Sequence, residues 1–112
     1  MMKVILVILS VYFAVSVCLA QAETLANLYL HKCSLCHGVS GKGDGKLAVL
    51  INNPSPANFT QSSLGLDAIE RMIQDGGEAN GRSASMPAWK KELTPKNISR
   101  LAQYVFAFRK PE

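Results

Sequence analysis

Five residues constrain this chain more than any others: Cys33-Ser34-Leu35-Cys36-His37. Thiols three positions apart lie about one helical turn from each other, on one side of a helix. The histidine that follows offers a ring nitrogen beside the pair. This C-x-x-C-H order is the attachment pattern for a c-type haem. Each thiol would add to one vinyl group on neighbouring edges of the porphyrin, with His37 under the iron as proximal ligand. Two other chemistries use paired cysteines. A thiol–disulfide oxidoreductase sets them in a βαβ pattern, which this chain lacks. A zinc site needs two further ligands at similar spacing, and only His31 is at hand. The motif therefore predicts one haem c, held through two thioethers.

The start of the chain predicts export. Lys3 is a short positive region, an apolar run extends from Val4 to Ala20, and Ala20-Gln21-Ala22 puts small residues where a signal peptidase reads them. Residues 1–22 are expected to be a cleaved signal peptide and residues 23–112 the folded domain, with Glu23 as the mature start. An uncleaved membrane anchor is the rival, because the run is near the shortest length that spans a bilayer. Lipidation at Cys18 is a weaker rival, since Val17 is bulky for that chemistry. With Cys18 in the signal, the mature chain keeps only Cys33 and Cys36 of the three cysteines. The 90 or so residues left, roughly one small domain, bury a limited core, and a haem would supply apolar surface to wrap. The formal net charge of +4 is scattered, without a Lys/Arg run. That excludes a nucleic-acid footprint and leaves room for an acidic redox partner.

Three amphipathic segments follow the signal, and none alternates like a strand, so the fold class is all-α with long loops. The first covers 23–32, with Leu25, Leu28, Tyr29 and Cys33 on one face. The second covers 66–75, with Ile69, Met72 and Ile73 as its stripe and Gly76-Gly77 as its stop. In the third, Thr94 is the expected N-cap and Pro95 the first helical residue; Ile98, Leu101, Ala102 and Val105 face inward, and Arg109, Lys110 and Pro111 close it. A shorter helical stretch is expected over 46–51.

A sixth ligand for the iron must come from elsewhere. His31 is too near Cys33 along the helix to reach the far haem face. Met72 sits in an apolar stripe, where methionine usually fills core. Met86 lies in a loop of small residues, Gly81 to Ser85, and precedes Pro87, so its thioether can reach a metal free of helical constraint. His37 and Met86 are thus the expected axial pair, a set that favours ferrous iron and leaves no open position.

These residues resemble class I cytochromes c of the bacterial monohaem type over nearly all of residues 23–110. The resemblance rests on Cys33 to His37, on Gly41-Lys42-Gly43-Asp44-Gly45, on Pro54 to Phe59, on Met86-Pro87-Ala88-Trp89 and on the terminal helix around Tyr104. It implies a small fold of three main helices around one haem, with first and last helices crossing near right angles and Tyr29 packed on Tyr104. Leu25 stands where the family often has a small residue. The resemblance also implies that a proline carbonyl, of Pro54 or Pro56, holds the His37 ring; Trp89 either donates to a haem propionate, as similar residues do in the family, or packs beside the Met86 loop. Arg82 is read as a surface residue or a second propionate partner. Phe59 is expected on the haem edge, and one of Phe106 and Phe108 at the surface.

The combined reading is a periplasmic carrier of single electrons, not an enzyme, with a redox donor and acceptor as partners and no small-molecule substrate. Rival readings are a subunit of an oxidase or dehydrogenase complex, a five-coordinate haem enzyme or gas sensor, and a haem-free thiol oxidoreductase.

Overall fold

The computed structural model describes residues 1–20, 23–52 and 54–109. Five helices follow in order: α1 (Met2–Ala20), α2 (Leu25–Lys32), α3 (Ser34–His37), α4 (Leu66–Ala79) and α5 (Pro95–Phe106). No strand occurs among the described residues, and the fold is all-α. The stretch expected to be helical over 46–51 narrows to a 3-10 turn at Ala48–Leu50, and a second such turn covers Phe59–Gln61. In α1, residues 1–12 are exposed and none joins the buried core. The expected cleavage site after Ala22 lies outside the described residues.

Local chemistry sets the helix ends. Thr24 is extended and its hydroxyl accepts the Asn27 N–H at 3.3 Å, so α2 begins at Leu25 and Glu23 stands outside it. Thr94 caps α5 in the same way, accepting the Asn97 N–H at 3.2 Å ahead of Pro95. That helix ends at Phe106; Arg109 lies past it, and Lys110 and Pro111 lie outside the described residues. The Gly76-Gly77 pair kinks α4 rather than ending it. Gly76 has φ 81°, and one more turn follows to Ala79.

Helix α5 packs against both α4 and α2. Its stripe of Ile98, Leu101, Ala102 and Val105 is buried, as are Ile69 and Ile73 of α4 and Leu28, Tyr29 and Cys33. Tyr29 and Leu101 are fully enclosed. The Tyr29 and Tyr104 rings meet at 5.0 Å between centroids, and Leu25 packs on the edge of the same core. This core holds α2, and with it the start of the Cys33–His37 turn.

The glycine-rich stretch after His37 closes the end of α3. The N–H groups of Gly43, Gly45 and Leu47 donate to the carbonyls of His37, Cys36 and Leu35 at 2.8, 3.1 and 2.8 Å. These carbonyls would otherwise be the orphan acceptors of a helix terminus. The approach is so close that a Cβ on Gly45 would strike the Leu35 carbonyl. Here glycine is required by contact rather than by its φ.

Candidate haem site

Between α3, α4 and the 81–89 loop lies a cavity of about 470 Å³. Cys33, Cys36 and His37 form part of its lining, and Met86 and Met72 another. The volume falls in the range of cofactor pockets. Most of the wall is apolar, with Ile69, Ile73, Leu64 and Phe59 among its residues. Among the described residues its charged lining residues are the cations Lys32 and Arg82, and no carboxylate lines it.

The histidine is held from several directions. Its N–H donates to the Cys33 carbonyl at 2.9 Å, and its own carbonyl accepts from Gly43. Ring atom Nδ1 lies 3.2 Å from the Ala57 carbonyl, and the ring stacks on Phe59 at 4.4 Å between centroids. Burial pushes the His37 pKa below its usual value, against a smaller upward pull from the Ala57 bond. A neutral imidazole with Nδ1 engaged by a carbonyl presents Nε2 as its metal-binding atom. The supporting carbonyl belongs to Ala57, which corrects the expectation of Pro54 or Pro56. The Pro56 carbonyl is turned instead to Gly43, where a Cβ would lie 2.5 Å from it.

Cys33 is buried and Cys36 half-buried, and the two are not joined in a disulfide. Burial, then the neighbouring Cys36, push the Cys33 thiol up to about 11. Thiol–disulfide catalysis needs a lowered thiol pKa, so Cys33 is poorly suited to it. His31 is exposed, with Nδ1 3.8 Å from a Glu23 carboxylate oxygen.

Elsewhere in the lining, the backbone of Met86 is pinned. Its carbonyl accepts the Gly77 N–H at 2.9 Å, and its N–H donates to the Ser83 carbonyl at 3.2 Å. The Trp89 N–H bonds the Ile73 carbonyl at 2.9 Å, so the loop is tied to α4 on both sides of Pro87. Ion pairs Lys90–Asp75 (3.0 Å) and Lys32–Glu92 (3.3 Å) fasten the segment that follows. Met72, expected as core filler, is half-buried and lines the cavity. The reason is its place on α4, between the core-facing Ile69 and Ile73 stripe and the open side. Trp89 is also half-buried at the cavity, with Lys32 Nζ 5.4 Å from its ring centroid. Arg82 is exposed at the cavity's edge.

Two features go further than the sequence expectations. Phe108, beyond α5, turns inward and meets Tyr29 at 5.2 Å, Tyr104 at 5.4 Å and Phe59 at 6.1 Å, joining the core to the His37 stack. Phe106 is the outward member of that pair, under the Arg109 guanidinium at 4.3 Å. The second is the Tyr29 hydroxyl, which donates to the Gly38 carbonyl at 2.7 Å. Burial is the main cause that pushes this phenol far above its ordinary value, so it stays protonated and a donor. An aromatic four residues before Cys33 signals packing, but nothing in the sequence signals the hydroxyl's partner.

Comparisons with known proteins bear on the family and the fold. Residues 20–105 match the family described as cytochrome c oxidase, cbb3-type, subunit III. The cbb3-type cytochrome c oxidase subunit FixP of Azorhizobium caulinodans is 31% identical over 84 residues, which is 75% of this chain and 26% of that protein. The chain therefore spans about a quarter of that relative's length. The solved structure of the KustC0563 c-type cytochrome is similar with a TM-score of 0.59 and 26% identity, covering 76% of this chain and 96% of that one.

Proposed function

Because the chain belongs to the cytochrome c oxidase, cbb3-type, subunit III family and is a c-type cytochrome, we propose that it carries single electrons in the periplasm through one haem c. In this reading Cys33 and Cys36 would hold the haem covalently, and His37 and Met86 would supply the protein ligands to its iron. Residues 1–22 act as the export signal and residues 23–112 as the carrier domain.

The observation that carries the reading is one apolar cavity lined by two thiols, a carbonyl-supported imidazole and a thioether on a pinned loop. That donor set fits a covalent, six-coordinate haem. When bound, the haem supplies an iron that gains or loses one electron. The protein's part is to hold both ligands still in either state, so little rearrangement accompanies the transfer. His37 is fixed by Ala57, Phe59 and Gly43. Met86 is fixed through Gly77 and Ser83. The apolar wall excludes water, which with the thioether raises the potential. Leu35 and Leu47 line the cavity yet stay 49% and 41% exposed, which makes its mouth an apolar contact surface. Lys32 and Arg82 beside it favour a partner with carboxylates at the matching edge.

An absorption spectrum of the exported protein tests this, taken oxidised and reduced, with and without carbon monoxide. Colour that survives acid–acetone extraction and a low-spin spectrum indifferent to the gas are expected. Met86→Ala should bind the gas readily, while Met72→Leu should keep the parent spectrum. Gas binding by Met72→Leu alone would transfer the ligand role to Met72. Colour lost on extraction would end the covalent reading.

The family match and the FixP likeness favour a second arrangement of the same chemistry, in which the domain works as a fixed member of an oxidase complex. Recovery of the chain bound to a membrane oxidase after mild detergent extraction supports that arrangement; recovery as a free soluble protein supports the diffusing carrier.

A further inference from the structure

The Tyr29 hydroxyl has no role in the packing of its own ring. Tyr29 is 0% exposed and its ring is packed by Tyr104 and Phe108, contacts a phenylalanine would make equally well. A hydroxyl in such a place costs stability unless it is hydrogen-bonded. Its acceptor is the carbonyl of Gly38, the residue directly after His37. That carbonyl already accepts the Gly41 N–H at 3.1 Å, so the tyrosine is not needed to satisfy it. What the bond adds is a tie from the buried core to the turn that follows the histidine.

The turn needs such a tie. Gly38 sits at φ 81°, outside the helix, and is the pivot on which the chain leaves α3. Upstream, the His37 N–H is held by the Cys33 carbonyl; downstream of the histidine, the other contacts of its backbone and ring come from later segments: Gly43 at its carbonyl, Ala57 at Nδ1, Phe59 against its face. Tyr29 lies on α2 in the core. It therefore references the His37–Gly38 peptide to the rigid part of the molecule. We propose that Tyr29 is a positioning residue for His37, its hydroxyl fixing the imidazole's orientation at the iron and so the reduction potential. The inference rests on His37 being an axial ligand, as argued above, and adds a residue that touches neither the haem iron nor its ligands directly. Orientation and support of an axial imidazole are among the protein's levers on a haem potential.

The test compares two hydroxyl deletions in the haem-loaded, full-length protein. Tyr29→Phe removes the bonded hydroxyl and keeps the ring. Tyr104→Phe removes a hydroxyl with no hydrogen bond among the described residues, from the ring packed at a tilt of 38° on Tyr29. The midpoint potential is measured for both and for the parent. A shift in Tyr29→Phe beyond that in Tyr104→Phe is expected. Equal potentials in all three would overturn the inference, even if Tyr29→Phe unfolds at lower temperature. If Tyr29→Phe fails to fold, 3-fluorotyrosine introduced at position 29 decides, since it keeps the shape and strengthens the donor. It should shift the potential, and an unchanged potential would overturn the proposal. Failure of the parent to retain haem after extraction, or to lose its low-spin spectrum on His37→Gly substitution, would instead strike the ligand assignment.

Discussion

At the scale of single residues, the glycines separate into those that carry the site and those that do not. Gly77 bonds through both of its backbone groups, donating to Met86 and accepting the Arg82 N–H at 2.8 Å. A Cβ there would strike the Ser83 carbonyl and stand 3.1 Å from the Met86 Cβ. Both obstacles belong to the loop that presents the thioether, and a backbone carbonyl cannot rotate aside as a side chain can. Gly77→Ala is therefore expected to destabilise the protein by about 1–3 kcal/mol, the usual cost of overpacking, and to let carbon monoxide reach the reduced iron. Gly65 is the contrast: a Cβ there would meet nothing within 4 Å, and the residue occupies the N-cap of α4 in an extended conformation. Gly65→Ser supplies a capping hydroxyl there and should leave stability equal or slightly raised. Thermal unfolding of both variants, with gas titration of the first, checks the contrast. A Gly77→Ala protein as stable and as gas-tight as the parent would show that the loop has room the contacts deny.

At the scale of elements, α5 shows how much of the architecture can be read from residue order and why other parts cannot. Thr94, Pro95 and the Ile98–Leu101–Ala102–Val105 stripe act through local rules, a cap, a fixed φ and a 3.6-residue period, and each stands where those rules put it. The C-x-x-C-H turn is legible for the same reason, since its chemistry depends on spacing within one turn. The supports of His37 are not. A backbone carbonyl is common to all residues, so Ala57 carries no mark that distinguishes it from Pro54 or Pro56. The kink at Gly76 resembles a stop because a glycine with positive φ serves both purposes locally, and the Met86 loop that makes use of it is distant in sequence. The two kinds of feature predict different sizes of effect in α5. Thr94→Ala removes one capping bond and should cost about 1 kcal/mol. Leu101→Ala empties a fully buried position in the helix that packs on α4 and α2 and should cost about 2–5 kcal/mol. Denaturant titration ranks them; a cap loss equal to the core loss would mean that α5 is held by its end rather than by its face.

At the scale of the whole molecule, charge and apolar surface are distributed unevenly, and each distribution carries an expectation. Among the described residues the cavity's lining includes Lys32 and Arg82 but no carboxylate, and Leu35 and Leu47 are exposed at the same opening. Electron exchange with an acidic partner should slow as salt rises through about 0.1 M, where the screening length falls to roughly 10 Å, and stopped-flow rates against ionic strength measure this. A flat profile would leave the apolar contact as the whole of recognition. A run of exposed apolar side chains lies elsewhere, on the first helix, where residues 1–12 are all exposed while the buried core is drawn from Leu28 through Val105. Side chains that bury nothing against the core give it no stability by apolar burial. A haem-loaded protein beginning at Glu23 should therefore unfold at the same temperature as the full chain. For a domain of this size, about 1 kcal/mol moves the midpoint by roughly 4–8 °C, so a difference below about 4 °C means that α1 contributes less than that. A larger drop would show that the first helix packs on the haem-bearing domain in solution, and would make residues 1–22 part of the fold rather than an export address that the fold does not need.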